Sequence, residues 1–318
     1  MALLERFNNG DVRALSRIIS HVENETDGYR DLLGRLYKQN GKSIRIGITG
    51  PPGAGKSTLV NCLARTYLKD GLRVGVVAVD PTSPFTGGAL LGDRVRMADF
   101  PTDGTFFFRS MATRGATGGL AMATDNVTTI YDAYGFDITL IETVGVGQVE
   151  LDIINSCDSV LVIVVPESGD AVQTMKAGLM EIADIFVVNK ADRPGSERIV
   201  SELRQMLKVR KPVEDAWSIQ VMATESTRNK GIPELREQLQ EHLAFIKASG
   251  EFEKRRRWQI KKKITRILQV ELSHLIERRL PESTNLEQLI EDIYRGKSDP
   301  YTAGDEILKL SVNHLADG

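Results

Sequence analysis

The sequence predicts an α/β fold with a mostly parallel central sheet flanked by helices, and helical extensions at both ends. Three observations predict it. Apolar runs of strand length alternate with amphipathic runs of helix length from residue 44 to about 247. The strand-like runs are mostly continuous apolar runs, as expected for strands buried on both faces of a parallel sheet. The first of them, IRIGIT, leads into GPPGAGKS at 50–57 and then into STLVNCLARTYLKD, whose Leu59, Leu63, Tyr67 and Leu68 point inward on a helix. A strand, a glycine-rich loop ending in Lys-Ser, and a helix together make a P-loop, so the chain reads as a P-loop NTPase.

Taken in order, residues 1–40 read as two short helices. Asn9-Gly10-Asp11 starts the first, with Ala14, Leu15, Ile18, Ile19 and Val22 on one face. Thr26-Asp27-Gly28 breaks it, and YRDLLGRLYK forms the second. Strands are expected at 44–49, 73–79, 105–109, 138–142, 159–165, 185–189 and 217–222. From about 250 the chain becomes a long charged helix whose Ile260, Ile264, Ile267, Leu268, Val270, Leu272, Leu275 and Ile276 make a broad apolar face. Shorter helices follow around 284–295 and 302–315. The expected division is a helical extension at 1–42, a nucleotide domain at 43–248 and a helical arm at 249–318.

Composition excludes several classes of partner. A formal net charge of −2 over 318 residues argues against nucleic acid or an anionic membrane as the main partner. The longest apolar runs are strand-length, too short to span a bilayer. The beginning MALLERFNNGD lacks a basic segment followed by an apolar core, so a cytoplasmic location is expected. Cys62 and Cys157 have no metal-binding spacing and read as free thiols. The basic run 254–257 reads as a solvated face at the start of the long helix.

The candidate site begins with the phosphate cradle Gly50, Pro51, Pro52, Gly53, Ala54, Gly55, Lys56, Ser57 and Thr58. Its glycines let backbone N–H groups face phosphates, and the helix N-terminus adds its positive end. Lys56 is placed to reach the β- and γ-phosphates, and Ser57 to ligate Mg²⁺. NKAD, at 189–192, ends a strand-like run. Guanine presents two donors on one edge, which a carboxylate accepts and adenine cannot supply. Asp192 is therefore the candidate base reader, with Asn189 bracing the loop and the Lys190 stem along the ring. Two charge-assisted bonds of about 1.5–3 kcal/mol each give strong selectivity.

Three loops between these motifs carry further candidates. Asp80 and Asp93 flank a Gly- and Pro-rich segment, and one or both could hold waters on Mg²⁺. A helix cap is the other reading of Asp80. In IETVGVGQVE, Glu142 stands where P-loop proteins place a carboxylate near Mg²⁺. Gly145 would sense the γ-phosphate through its N–H, and Gln148 could orient the attacking water. Arg94 and Arg114 are candidates for an internal arginine finger. The third loop, 166–178, carries Glu167, Asp170, Gln173 and Lys176 and reads by itself as an ordinary strand–helix connection.

The stretches GITGPPGAGKSTL, VAVDPTSPFTGGALLGDRVRM, IETVGVGQVE, NKAD and DPYTAG together resemble the MeaB/ArgK-like family of P-loop GTPases, and the resemblance covers nearly the whole chain. It departs at RGATGGL, where Ala116-Thr117 replaces the family's His-Leu. MATES, with Ala223 and Thr224, stands where many GTPases have Ser-Ala to back the base through a main-chain N–H. The resemblance implies GTP/GDP and Mg²⁺ as cofactors. It also implies a chaperone that gates adenosylcobalamin loading into a cobalamin-dependent acyl-CoA mutase, most often methylmalonyl-CoA mutase. Members of this kind are homodimers assembled through terminal helical arms, and the loop matching 166–178 acts as a third switch facing the mutase. A nickel-insertion metallochaperone is disfavoured, because the four histidines are scattered and no Cys-x-x-Cys occurs. A kinase of an amino-acid transport system is disfavoured because no acceptor site can be read.

Overall fold

The computed structural model describes residues 2–39, 43–80, 99–112, 119–143, 156–167, 180–209, 216–283, 286–305 and 307. Seven strands form one all-parallel sheet: β1 Ile44–Thr49, β2 Val74–Asp80, β3 Phe106–Ala112, β4 Ile138–Thr143, β5 Ser159–Val164, β6 Ile185–Asn189 and β7 Gln220–Thr224. Their order is β3-β2-β4-β1-β5-β6-β7. The chain leaves β1 toward β2 on one side and later fills β5, β6 and β7 on the other. The carboxyl end of β1 is therefore a topological switch point, where open α/β sheets bind ligands. All strands were legible as apolar runs; β3 and β7 run two to three residues further than expected.

Successive strand residues feed two cores, one on each face. Leu161, Ile163, Ile185 and Val187 pack with Leu59, Val60 and Leu63 of α4 (Lys56–Lys69) and with Leu235 and Leu239 of α7 (Ile232–Ala248). The intervening Val160, Val162, Val164, Phe186 and Val188 join the opposite core. That core receives Val127, Ile130 and Tyr131 of α5 (Gly119–Tyr134) and Ile199 and Leu203 of α6 (Ser196–Val209). A single helical turn, Met180–Ile182, precedes β6.

The amino-terminal segment forms three helices where two were expected: α1 Ala2–Asn8, α2 Val12–Glu23 and α3 Tyr29–Lys38. α1 is too short for a convincing period; its buried anchor is Phe7, against Tyr134 of α5, with Leu3 and Leu4 packed on the same core. α2 begins as the sequence says: Asp11 caps it by accepting from the amides of Arg13 and Ala14 at 2.8 and 3.1 Å. Its five apolar residues Ala14, Leu15, Ile18, Ile19 and Val22 are all buried.

The chain divides by contacts into a unit of residues Met1–Ile260 and a unit of Lys261–Gly318. The long helix α8, Glu251–Ser283, begins in the first. Here the basic run is only half solvated. Lys254 and Arg257 are exposed, but Arg255 and Arg256 are fastened to carboxylates at the amino edge of the sheet. Arg255 grips Asp184 with bonds of 3.0 and 2.9 Å, and Arg256 grips Asp158 with two of 2.6 Å. Each carboxylate also accepts a strand amide, Val160 N at Asp184 and Arg45 N at Asp158. A charge run cannot reveal that partners lie about 70–100 residues upstream.

Ser159, His242 and Asp184 stand in a row beside this clasp. Ser159 Oγ lies 2.7 Å from His242 Nδ1, and His242 Nε2 lies 3.2 Å from Asp184 Oδ1. The order is that of a hydrolase relay, yet Ser159 and His242 are both wholly buried and no substrate reaches them. The row ties α7 to β5 and β6. In the second unit, α9 spans Leu286–Tyr294. Asp299 then caps a helical turn at 300–305 through the amides of Tyr301 and Thr302.

Candidate functional site

The sequence places the P-loop at the switch point, between the ends of β1, β4 and β5. Two of its glycines are required by close approach as well as by conformation. Gly50 has φ of +145°, and a Cβ there would stand 2.2 Å from the Ile163 carbonyl oxygen of β5. Gly55 has φ of +84°, and its Cβ would stand 2.4 Å from the Asn189 amide nitrogen. Only a backbone without side chains can thread between β5 and the loop after β6. Pro51, Pro52, Gly53 and Ala54 complete the turn, and Thr58 follows Ser57 in the first turn of α4.

Lys56 is almost fully buried, and its ammonium folds back onto the loop. It donates to the carbonyls of Gly50 and Pro51 at 2.7 and 2.9 Å. This holds a positive charge inside a ring of backbone dipoles at the N-terminus of α4, the arrangement that receives phosphate. Beside it, Ser57 Oγ donates to Glu142 Oε1 at 2.6 Å. Glu142 is 5% exposed and enters from β4, which pairs with β1 at Ile48. The next pair along, Thr143 and Thr49, is locked by a buried hydroxyl bond of 3.0 Å. A hydroxyl and a dry carboxylate are hard oxygen donors, and this pair fits a small divalent cation such as Mg²⁺. The backbone of Asp80 closes β2 two strands from β1; its side chain lies outside the described residues, as do Asp93, Arg94, Arg114, Ala116, Thr117, Gly145 and Gln148.

The second half of the site hangs on Asn189, the last residue of β6. Its Nδ2 donates to the carbonyl of Ala54 in the P-loop at 2.8 Å. Its Oδ1 accepts from the hydroxyls of Thr224 and Ser226 at 3.1 and 2.8 Å, and from the Ser226 amide at 3.3 Å. One buried side chain thus joins the P-loop, the NKAD loop and the loop after β7. Lys190 takes a left-handed φ of +55°, uncommon outside glycine, and turns the chain so that Asp192 is exposed above the strand ends. The Ala191 amide secures this turn to the Thr224 carbonyl at 3.0 Å.

Ala223 lies inside β7 and is exposed; Thr224 closes the strand with its hydroxyl spent on Asn189. Sequence reasoning missed Ser226, which braces Asn189 through both its hydroxyl and its amide. The available signal was a hydroxyl residue just past a strand end, too common to stand out. Ser226 is itself fixed, since the Cys62 thiol donates to its carbonyl at 3.1 Å. Burial pushes the Cys62 thiol up, so it stays a protonated donor.

Of the loop 166–178, Pro166 and Glu167 are described, and Glu167 pairs with Arg193 of the NKAD loop. Asp170, Gln173 and Lys176 lie outside the described residues.

The family described as methylmalonyl Co-A mutase-associated GTPase MeaB matches residues 15–280. A protein of Pyrococcus abyssi named as a GTPase is 48% identical over 96% of this chain and 95% of its own. GTPase ArgK of Escherichia coli K12 is 32% identical over 80% of each chain. A solved structure described as LAO/AO transport system kinase superposes with a TM-score of 0.72 over 97% of this chain and 96% of its own. At 24% identity that likeness is one of fold.

Proposed function

The chain belongs to the MeaB family of methylmalonyl-CoA mutase-associated GTPases, and from that premise we propose that it hydrolyses GTP to gate adenosylcobalamin loading into a cobalamin-dependent acyl-CoA mutase, and protects that mutase. The observation that carries the nucleotide half of this reading is Asn189. It bonds the phosphate loop and the base loop at once, so base and phosphates are held at a fixed separation. The partner half rests on the family.

In this reading Lys56 leaves the carbonyls of Gly50 and Pro51 for the β- and γ-phosphates, and the loop amides turn to the same oxygens. Ser57 and Glu142 would hold Mg²⁺, which neutralises charge developing on the phosphates; Asp80 and Asp93 are further candidates. Gly145 senses the γ-phosphate, and Gln148 orients water. Asp192 accepts from guanine N1–H and N2–H, the Lys190 stem lies along the ring, and Ala223 and Thr224 back the base. The division into 1–42, 43–248 and 249–318, a homodimer built through the arm, a mutase-facing loop at 166–178 and a cytoplasmic location belong to the same proposal. Among the described residues no helix is long and apolar enough to cross a membrane.

The test uses the full chain with methylmalonyl-CoA mutase. GTP turnover is measured alone and with saturating mutase, and cobalamin transfer to the mutase is measured with GTP, GDP and no nucleotide. Mutase-stimulated turnover and nucleotide-dependent transfer are expected. Guanine-specific turnover that ignores the mutase would leave the GTPase standing and remove the partner.

A further inference from the structure

Asp192 sits between two anchored neighbours, and only one anchor belongs to the usual frame of strand ends. On its amino side, Ala191 is bonded to the Thr224 carbonyl. On its carboxyl side, the Arg193 amide closes a tight turn on the Lys190 carbonyl at 3.0 Å, which leaves the Arg193 side chain to reach outward. It reaches sideways to the strand next door. β5 and β6 are adjacent and in register, with Val164 opposite Val188, so what leaves β5 faces what leaves β6. There Glu167 makes an ion pair with Arg193.

The turn also has bonds of its own, from the Arg193 amide to the Lys190 carbonyl and from Ser196 Oγ to the Ala191 carbonyl at 2.9 Å. Lys190 is left-handed, a conformation that persists only when its surroundings impose it. With the Arg193–Glu167 pair released, those bonds remain, but the segment that carries the base-reading carboxylate loses its described side-chain tie to the segment leaving β5. We propose that Arg193 and Glu167 are a positioning pair that holds Asp192 in its base-reading pose and ties that pose to the segment leaving β5. This rests on the reading of Asp192 as the guanine contact. The pair is half exposed at both ends, with 49% and 45% of the side chains open, so it is a tunable tie and not a rivet.

The experiment measures release of a fluorescent GDP from the full chain, and KM and kcat for GTP, in Arg193→Ala, Glu167→Ala, the double variant, and the charge-swapped Arg193→Glu/Glu167→Arg. Each single variant is expected to speed release and raise KM about two- to fivefold, the range an exposed pair carries, with kcat within twofold. The double variant should be no worse than the singles, the swap should recover part of the loss, and 1 M NaCl should erase the difference from the natural chain. Unchanged release in both singles, or additive effects in the double, would overturn the proposal. Asp192→Asn is measured alongside. Loss of guanine preference there with silent Arg193 and Glu167 variants sinks the positioning pair alone; retained preference sinks both readings.

Discussion

Asn189 spends both ends of its amide on protein, and this divides the labour at the base site. Asn189 positions; in the proposed reading Asp192, exposed three residues further on, discriminates. Asp192→Asn replaces an acceptor with a donor facing guanine's own donors. GTP affinity is expected to fall about 10- to 100-fold, the loss of one charge-assisted bond, while xanthosine triphosphate, which accepts at that edge, gains. Titration with both nucleotides checks this; equal GTP affinity would remove Asp192 from the base. The Ser57–Glu142 pair carries a second prediction. Glu142→Gln keeps an oxygen for the Ser57 hydroxyl, so the fold should hold, but it removes a buried negative charge. The Mg²⁺ concentration for half-maximal turnover should rise about tenfold or more, one charge-assisted ligand being worth about 1.5–3 kcal/mol. An unchanged Mg²⁺ dependence would place the cation elsewhere. Motif residues such as Lys56, Ser57 and Asn189 were legible because their chemistry fixes their spacing. Ser226 and Arg193 were not, because their roles arise from loops that only the sheet order brings together.

At the scale of elements, the central strands β4, β5 and β6 were legible because burial on both faces leaves a continuous apolar run, a signal independent of distant sequence. α1 and the clasp at the start of α8 were not, since each depends on one or two side chains finding partners far along the chain. The clasp has a pH signature. Burial pushes the Asp184 carboxyl up, but the nearby His242 and the hydrogen bonds from Arg255 outweigh it and hold the group below the usual carboxylate range. A carboxylate held down in the folded state adds stability above its unfolded value near 4 and loses it as pH falls toward the folded value. Arg255→Ala removes one of these restraints, so the folded-state value rises toward the unfolded one and the stability this carboxylate adds at neutral pH shrinks, leaving less to resist acid. Acid-unfolding curves are expected to shift upward in pH, with about 3 kcal/mol lost at neutral pH, the low end for breaking a buried pair because His242 remains. An unshifted acid midpoint would mean the clasp is solvated in solution.

For the whole molecule, the question is where the nucleotide-binding unit stops. Composition changes at about 250, yet contacts run to Ile260, because the first turns of α8 carry Arg255, Arg256 and Gln259 onto the amino edge of the sheet. A chain ending at Lys247 strips both arginines from Asp158 and Asp184, which are at most 7% exposed. Uncompensated buried carboxylates cost about 3–5 kcal/mol each, against a total stability of about 5–15 kcal/mol. That chain is expected to melt at least about 10 °C below the full protein, since 1 kcal/mol moves a unit of this size by about 2–4 °C, or to fail to fold. A chain ending at Ile260 keeps the clasp and should melt near the full protein and bind GTP as well. The same cut removes Ile264, Ile267, Leu268 and Leu272, which are 41–56% exposed along α8. If that face is the contact between two copies, the chain ending at Ile260 sediments as a monomer while the full protein sediments as a dimer. Equal melting of the two truncations would refute the clasp as the boundary, and a dimer at Ile260 would move the interface onto the first unit.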